Sequence, residues 1–170
     1  LVPTSALLLG ACAPGDAVPE PPTPDEPNVS CAAVPAGPVD WEVVDGIVSA
    51  EDFVFEGDGG LLSLDPQGNL VRSRPGREPE LVTPAVTSGE SAGVSMLPNG
   101  DVAVADVGTG SVVLVHPDGG TTSLLSGLRY PNGLEVHPDG WIAVAEQEGG
   151  QVVRIDPDSR ESEVVVDELF

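Results

Sequence analysis

The sequence repeats one motif three times. GVSMLPNGDVAVAD, which begins at Gly93, returns as GLEVHPDGWIAVAE at Gly133 and more loosely as DFVFEGDGGLLSLD at Asp52. The copies begin 41 residues apart, from 52 to 93, and then 40 residues apart, from 93 to 133. A constant period of this length is typical of one supersecondary unit stacked on copies of itself, because a single unit cannot bury its own apolar face. The chain is therefore expected to be an array of similar units.

Each copy has turn residues at the spacing of consecutive β-hairpins. Short apolar runs alternate with turns such as Pro-Asn-Gly and Pro-Asp-Gly, which supply the positive φ values that tight antiparallel connections need. With 21 Gly, 18 Pro and no stretch of helical periodicity, the sequence predicts an all-β protein. Four short strands in each unit are typical of a β-propeller blade. A β-sandwich would contain similar strands, but it does not account for near-copies of loop sequences at a constant spacing.

The predicted propeller region covers 39–170, with blades at about 51–83, 92–125 and 132–167. Propellers close their ring with roughly four to eight blades, so three blades cannot close one. We expect a fragment of a longer protein, an assembly of two half-rings, or an open arc with unpaired edges.

The first 38 residues are predicted to contain the end of a targeting signal and a flexible linker. Residues 1–12 are built like the end of a secretory signal, and Leu9-Gly10-Ala11-Cys12 resembles the lipobox of bacterial lipoproteins, in which the cysteine carries the lipid. A plain signal peptide with an incidental cysteine is the alternative. Residues 13–38 are rich in proline and acidic residues and are predicted to be a disordered linker. Together they predict a protein of the bacterial cell envelope, lipid-anchored through Cys12 or secreted to the periplasm.

Charge limits the partners of this chain. The net charge is −22 and there is no lysine, so nucleic acid and anionic lipid headgroups are not expected as electrostatic partners. Cation binding is compatible with this charge, and so is a solvated acidic surface. Cys31 is expected to be free or paired with a residue outside this sequence if Cys12 is acylated.

One position recurs at the start of each unit. Alignment of the three units places Glu51, Ala92 and Asn132 there. The first strand of each propeller blade lines the central channel, so these positions are expected to converge near its mouth. Carboxylate and amide oxygens are the donors that calcium selects, and calcium takes about six to eight oxygens, water included. Glu51 and Asn132 are therefore candidate metal ligands, whereas Ala92 offers no side-chain oxygen.

Two stretches resemble a known family. YPNGLEVHPDGWIAVAEQEGGQVVRID (130–156) and AEDFVFEGDGGLLSLD (50–65) are similar to the senescence marker protein and gluconolactonase family, which includes regucalcin-like proteins. The resemblance implies a six-bladed propeller in the full protein, with Glu51 and Asn132 as ligands of a catalytic calcium or another divalent metal. It also implies a hydrolase whose metal polarises the carbonyl of a lactone or ester substrate. The catalytic residue is expected outside this sequence.

A second function is open at this point. The Pro-Asn-Gly-Leu pattern also occurs in NHL-repeat propellers without catalytic activity, so a ligand- or protein-binding propeller is the alternative. In that case Glu51 is a solvated loop carboxylate and Asn132 is a turn residue that presets the bend before Gly133. Because two ligands do not make a calcium site, the 170 residues alone are expected to be inactive as a hydrolase.

Other polar residues are expected to have structural roles. His116 and His137 each open a His-Pro-Asp-Gly turn and are predicted to lie at the surface. Asp65, Asp106 and Glu146 recur at the end of the second strand of each unit, which favours a structural task such as capping the following turn.

Overall fold

The computed structural model describes Val48 and residues 51–169. The predicted signal segment 1–12, the linker 13–38 and both cysteines lie outside these residues. The described part contains twelve strands in three four-stranded antiparallel sheets, each a meander in chain order. The prediction of an all-β, propeller-like array of four-stranded units is confirmed. No helix among the described residues is long and apolar enough to cross a membrane.

The first blade, 53–83, contains β1 (Phe53–Phe55), β2 (Leu61–Leu64), β3 (Leu70–Ser73) and β4 (Glu80–Thr83). The second blade, 91–126, contains β5 (Ser91–Met96), β6 (Val102–Asp106), β7 (Ser111–Val115) and β8 (Thr121–Ser126). The third blade, 131–166, contains β9 (Pro131–Val136), β10 (Ile142–Glu146), β11 (Gln151–Ile155) and β12 (Ser162–Val166). The first strands β1, β5 and β9 are adjacent, with β5 between the other two. They are the inner strands of an arc of blades, which is the arrangement of a propeller and not of a two-sheet sandwich.

The second blade is apolar on both faces. Successive side chains of a strand point to opposite faces, and β6 places valines towards the first blade and alanines towards the third. The cluster between the first and second blades contains Leu62, Leu64, Leu70, Val86, Val94, Val102, Val104 and Val115. The cluster between the second and third blades contains Leu97, Ala103, Ala105, Val112, Leu114, Leu124, Leu134, Ile142, Val144, Val153 and Ile155. Each sheet is therefore stabilised by packing against its neighbour.

Among the described residues, the first and third blades each have one sheet face that does not pack against another blade. On the first blade, Phe53 and Phe55 are 49% and 67% exposed. On the third blade, Ala143 and Ala145 are half-buried, whereas their register equivalents in β6, Ala103 and Ala105, are fully buried.

We expect Ala103→Leu to destabilise the chain strongly and Ala143→Leu to be tolerated. The two alanines occupy equivalent positions, but only Ala103 lies between two packed blades, where a larger side chain costs about 1–3 kcal/mol. Urea unfolding of both variants measures the difference. Equal losses of stability would contradict the assignment of the inter-blade core.

Candidate functional site

The inner strands begin at one rim of the array of blades, which we call the channel mouth and define by residues 51, 92 and 132. Glu51 is exposed and lies two residues before β1. Ala92 is the second residue of β5 and only 4% exposed. Asn132 is the second residue of β9 and is half-buried. The second and third inner strands approach closely at this point, because Gly93 lies against the backbone of Asn132.

A β-bulge sets the direction of the side chain in the second and third blades. Ser91 pairs with Asp106 and Val94 with Val104, so Ala92 and Gly93 together oppose one residue. Asn132 and Gly133 oppose one residue in the same way, between the pairs Pro131–Glu146 and Leu134–Val144. Bulges re-aim side chains at sheet rims and beside functional sites. The predicted metal-ligand position therefore coincides with a local break in the strand ladder.

Asn132 is oriented by a neighbouring turn. Its Nδ2 donates to Oε1 of Gln147 over 2.9 Å, which turns the amide oxygen away from Gln147. Tyr130, two residues before Asn132, has φ of 58°, a left-handed conformation that is uncommon for an aromatic residue. Its carbonyl accepts from the backbone N–H of Gln147 over 3.0 Å. Such backbone conformations concentrate at functional sites. The sequence pattern pointed to Asn132 but not to Gln147 or to the constrained Tyr130.

Asp52, next to Glu51, has a role that the sequence did not reveal. Its Oδ1 accepts from the N–H of Phe53 over 2.8 Å, and its Oδ2 accepts from the N–H of Val94 over 3.0 Å. The carboxylate therefore joins the first inner strand to the second. Ser95 makes the corresponding link to the third blade, because its Oγ accepts from the N–H of Val136 over 3.2 Å.

The recurring acidic residues after the second strands have the structural role that their repetition predicted. Asp106 is buried and accepts from Ser88 Oγ at 2.8 Å and Thr109 Oγ1 at 2.6 Å. Glu146 is buried and accepts from the N–H of Arg129 and from Gln151 Nε2. Each therefore holds both its own turn and the connection that enters its blade.

Asp65 performs only the first of these tasks, because it binds within its own turn. Its Oδ1 accepts from the N–H groups of Gln67 and Asn69, both at 2.9 Å. Partial burial acts to raise the pKa of Asp65, but hydrogen bonds from the side chain and backbone of Asn69 outweigh it and hold the pKa below its usual 3.8. This carboxylate is thus ionised at neutral pH, and both of its oxygens accept hydrogen bonds within the turn.

Charged and aromatic groups cluster at the rim of the blades opposite the channel mouth. A groove of about 440 Å³ lies between the first and second blades and includes Glu56, Arg72 and His116 among its lining residues. Glu56 binds Arg72 through two hydrogen bonds of 2.6 and 2.8 Å, which raise the pKa of this arginine further. His116 lies between Asp101, at 3.0 Å, and Thr122, at 2.8 Å. His137 is stacked on Trp141 with the ring centres 4.4 Å apart. Both histidines are turn residues that crosslink neighbouring segments.

The channel mouth has the donor chemistry of part of a calcium site. Within residues 51–169, no three His, Cys, Asp or Glu side chains lie close enough together to hold a metal ion. Glu51 and Asn132 contribute oxygen donors from two blades, and Ala92 between them contributes none. The described residues therefore fit a contribution to a calcium site and do not form a complete one. Their role as ligands stays a prediction.

Comparison with solved structures places this arc among β-propellers. A protein assigned as a gluconolactonase matches with a TM-score of 0.56 and 21% identity, over 68% of this chain and 48% of its own. A gluconolactonase from Xanthomonas campestris matches with a TM-score of 0.58 and 16% identity, over 68% and 46%. The extracellular domain of a protein assigned as a hybrid two-component system from B. thetaiotaomicron matches with a TM-score of 0.56 and 18% identity. The match covers 70% of this chain and 18% of that protein.

These similarities define the class of protein by its fold. The chain is a three-bladed β-propeller segment similar in fold to gluconolactonases, and it spans about half the length of the two gluconolactonases that it matches. No protein-family model matches the sequence, and neither does any curated protein.

We expect Gly93→Ala to destabilise the chain and Gly133→Ala to be nearly neutral. A Cβ at Gly93 would lie 2.6 Å from Leu134 Cβ and 2.8 Å from the Asn132 carbonyl oxygen, and it would also clash with the Leu134 nitrogen. At the equivalent Gly133 the nearest contact is Ala145 Cβ at 3.9 Å. Thermal unfolding should show a loss of about 1–3 kcal/mol for Gly93→Ala alone. Similar melting of both variants would contradict the close approach of the inner strands.

Proposed function

We propose that this chain is part of an envelope-located hydrolase of the gluconolactonase type, in which Glu51 and Asn132 provide two of the ligands of a calcium ion. The observation that carries the proposal is the position of Asn132, which sits on an inner-strand bulge at the channel mouth with its amide oriented by Gln147. Alignment of the repeat units gives Glu51 the equivalent position before the first inner strand.

The chemistry of the two side chains supports this assignment. Both offer hard oxygen donors, and both are solvent-accessible at the end of the inner strands. When bound, a divalent cation would polarise the carbonyl of a lactone or ester substrate. The part of this chain is to hold its donors in fixed positions, since Gln147 prevents rotation of the Asn132 amide and the bulge fixes its backbone. The remaining oxygen donors would come from outside the described residues.

A non-catalytic binding propeller is the second candidate. It is favoured by Ala92, which leaves the middle inner strand without an oxygen ligand for a metal. It is also favoured by the groove of about 440 Å³ at the rim opposite the channel mouth. One propeller neighbour is described as the extracellular domain of a two-component system. Such a module would bind a ligand or protein without needing a metal.

Calcium titration of the 170-residue chain tests the first candidate. We expect weak binding, with a Kd on the order of 10⁻⁴–10⁻³ M, because only part of the ligand set is present. The Asn132→Ala variant should lose this binding. The Asn99→Ala variant, changed in the Pro-Asn-Gly turn at the rim opposite the channel mouth, should retain it. About 150 mM KCl in the buffer screens the diffuse attraction of the acidic surface.

Side-chain amide NMR signals provide the second readout of this titration. Calcium should shift the Asn132 amide resonance and leave that of Asn99 in place. Equal calcium affinity for the two alanine variants, with no selective shift at Asn132, would overturn the metal site and favour the binding propeller.

We further propose that the protein is held at the envelope by a lipid on Cys12. The extracellular location of a propeller neighbour supports an envelope location, and the Leu9-Gly10-Ala11-Cys12 motif supports the lipid. In a bacterial host expressing the chain behind a complete signal sequence, radiolabelled palmitate should be incorporated. Labelling should disappear in Cys12→Ser and persist in Cys31→Ser. Unlabelled protein in all three cases would show that the segment is a plain signal peptide.

A further inference from the structure

We propose that the groove between the first and second blades is a binding site for a small, uncharged, apolar molecule. The groove lies at the rim opposite the channel mouth, where the turns after β1, β5 and β7 contribute to its lining. The inference therefore does not depend on the proposed calcium site. It does not depend on further blades either, because both walls of the groove belong to the described residues.

Apolar side chains from two adjoining sheets form the walls of the groove. The first blade contributes one wall and the second blade the other, with the residues Leu62, Leu70, Val82, Met96, Val102 and Val115. Four of them are at most 5% exposed, and all six belong to or pack against the apolar cluster between these blades. The groove is therefore an opening into the inter-blade core, and a molecule bound in it would contact that core directly.

An arginine occupies an inter-blade position beside the groove. Arg72 pairs with Leu62 in the first blade, as Leu114 pairs with Ala103 in the second. Leu114 is buried in the cluster against the third blade. Long cationic side chains keep their charged end at the surface, so Arg72 cannot close its interface in the way that a leucine does.

The charged side chains that border the groove are already paired. Both carboxylate oxygens of Glu56 accept hydrogen bonds from Arg72, over 2.6 and 2.8 Å. Asp58 accepts from Arg74 over 2.7 Å. A charged ligand would have to compete with these bonds, and an anion would also be repelled by the net charge of −22. An uncharged ligand leaves the pairs intact.

His116 is fixed at the edge of the groove. One of its ring nitrogens lies 3.0 Å from Asp101 and the other 2.8 Å from Thr122. Both nitrogens are therefore engaged within the protein. The histidine borders the groove as a fixed ring and not as a hydrogen-bonding partner for a ligand.

The size of the groove and the nature of one wall residue fit a small molecule. Its volume of about 440 Å³ lies in the range of small-molecule sites, which is about 300–1,000 Å³. Met96 is the only methionine of the sequence and lies in the wall. Methionine adapts to ligands of different shape and makes favourable contacts with aromatic rings. We therefore expect the ligand to contain an apolar ring system.

Two related dyes test the proposal on the 170-residue chain. N-phenylnaphthylamine is uncharged and fluoresces in apolar surroundings, whereas anilinonaphthalenesulfonate has the same ring system with a negative charge. We expect the uncharged dye to bind with a Kd on the order of 10⁻⁵–10⁻⁴ M. The sulfonate should bind about tenfold more weakly or less. Equal or stronger binding of the sulfonate would overturn the assignment of an uncharged ligand.

Two neighbouring residues of β4 locate the bound dye. Val82 lines the groove, whereas Leu81 is 57% exposed and lies outside its lining. Val82→Asp should weaken binding of N-phenylnaphthylamine by about tenfold or more, because it places a charge in an apolar wall. Leu81→Asp is the matched control and should leave the affinity unchanged. Equal effects of the two variants would show that the dye binds elsewhere and would overturn the proposal.

The methyl NMR signal of Met96 provides a readout that needs no substitution in the groove. Saturation with N-phenylnaphthylamine should shift this single resonance, and an unchanged signal would contradict binding in the groove. The affinity for the dye should be the same with calcium, with EDTA and in Asn132→Ala. Loss of dye binding in Asn132→Ala would place the dye at the channel mouth and would also overturn the proposal, whereas loss of calcium binding alone would leave it standing.

Discussion

The structure depends on sheets that are apolar on both faces. In β6 the alternation of valine and alanine directs one set of side chains to the first blade and the other set to the third. A single blade with two such faces exposes both of them to water, so it gains stability only by stacking between neighbours. The inner strands then come together as a consequence of this stacking, and with them the residues at their beginnings. The channel mouth is therefore a product of packing between blades.

The fold was predictable because its signals are local. Asn-Gly and Asp-Gly turns and runs of β-branched residues fix the hairpins, and the constant spacing of the motif fixes their repetition. Glu51, Ala92 and Asn132 were predicted at the start of the inner strands for the same reason, since position within a repeat is a property of the sequence alone. Ala92 and Asn132 are the second residues of β5 and β9, and Glu51 lies two residues before β1.

The details of the site were not predictable, because they depend on contacts between segments that are distant in the sequence. Asp52 bonds a backbone N–H in the next blade, 42 residues away, and Gln147 orients Asn132 from a turn 15 residues further on. The bulges at Ala92 and Asn132 are visible only in the strand register. A pattern within one repeat unit contains no record of these contacts between strands and blades.

The repeat also distinguishes polar residues with a structural role from the proposed ligands at the mouth. Asp106 and Glu146 occupy one position in successive blades, are buried, and have their oxygens engaged by the same two segments, which leaves little capacity for a ligand. The inner-strand position behaves differently, because it holds a carboxylate, a methyl group and an amide in the three blades. A position required by the fold should hold a similar group in each blade, so this variation frees Glu51 and Asn132 from that requirement. The Asn132 amide oxygen and the Glu51 carboxylate are therefore the candidate ligands at the mouth.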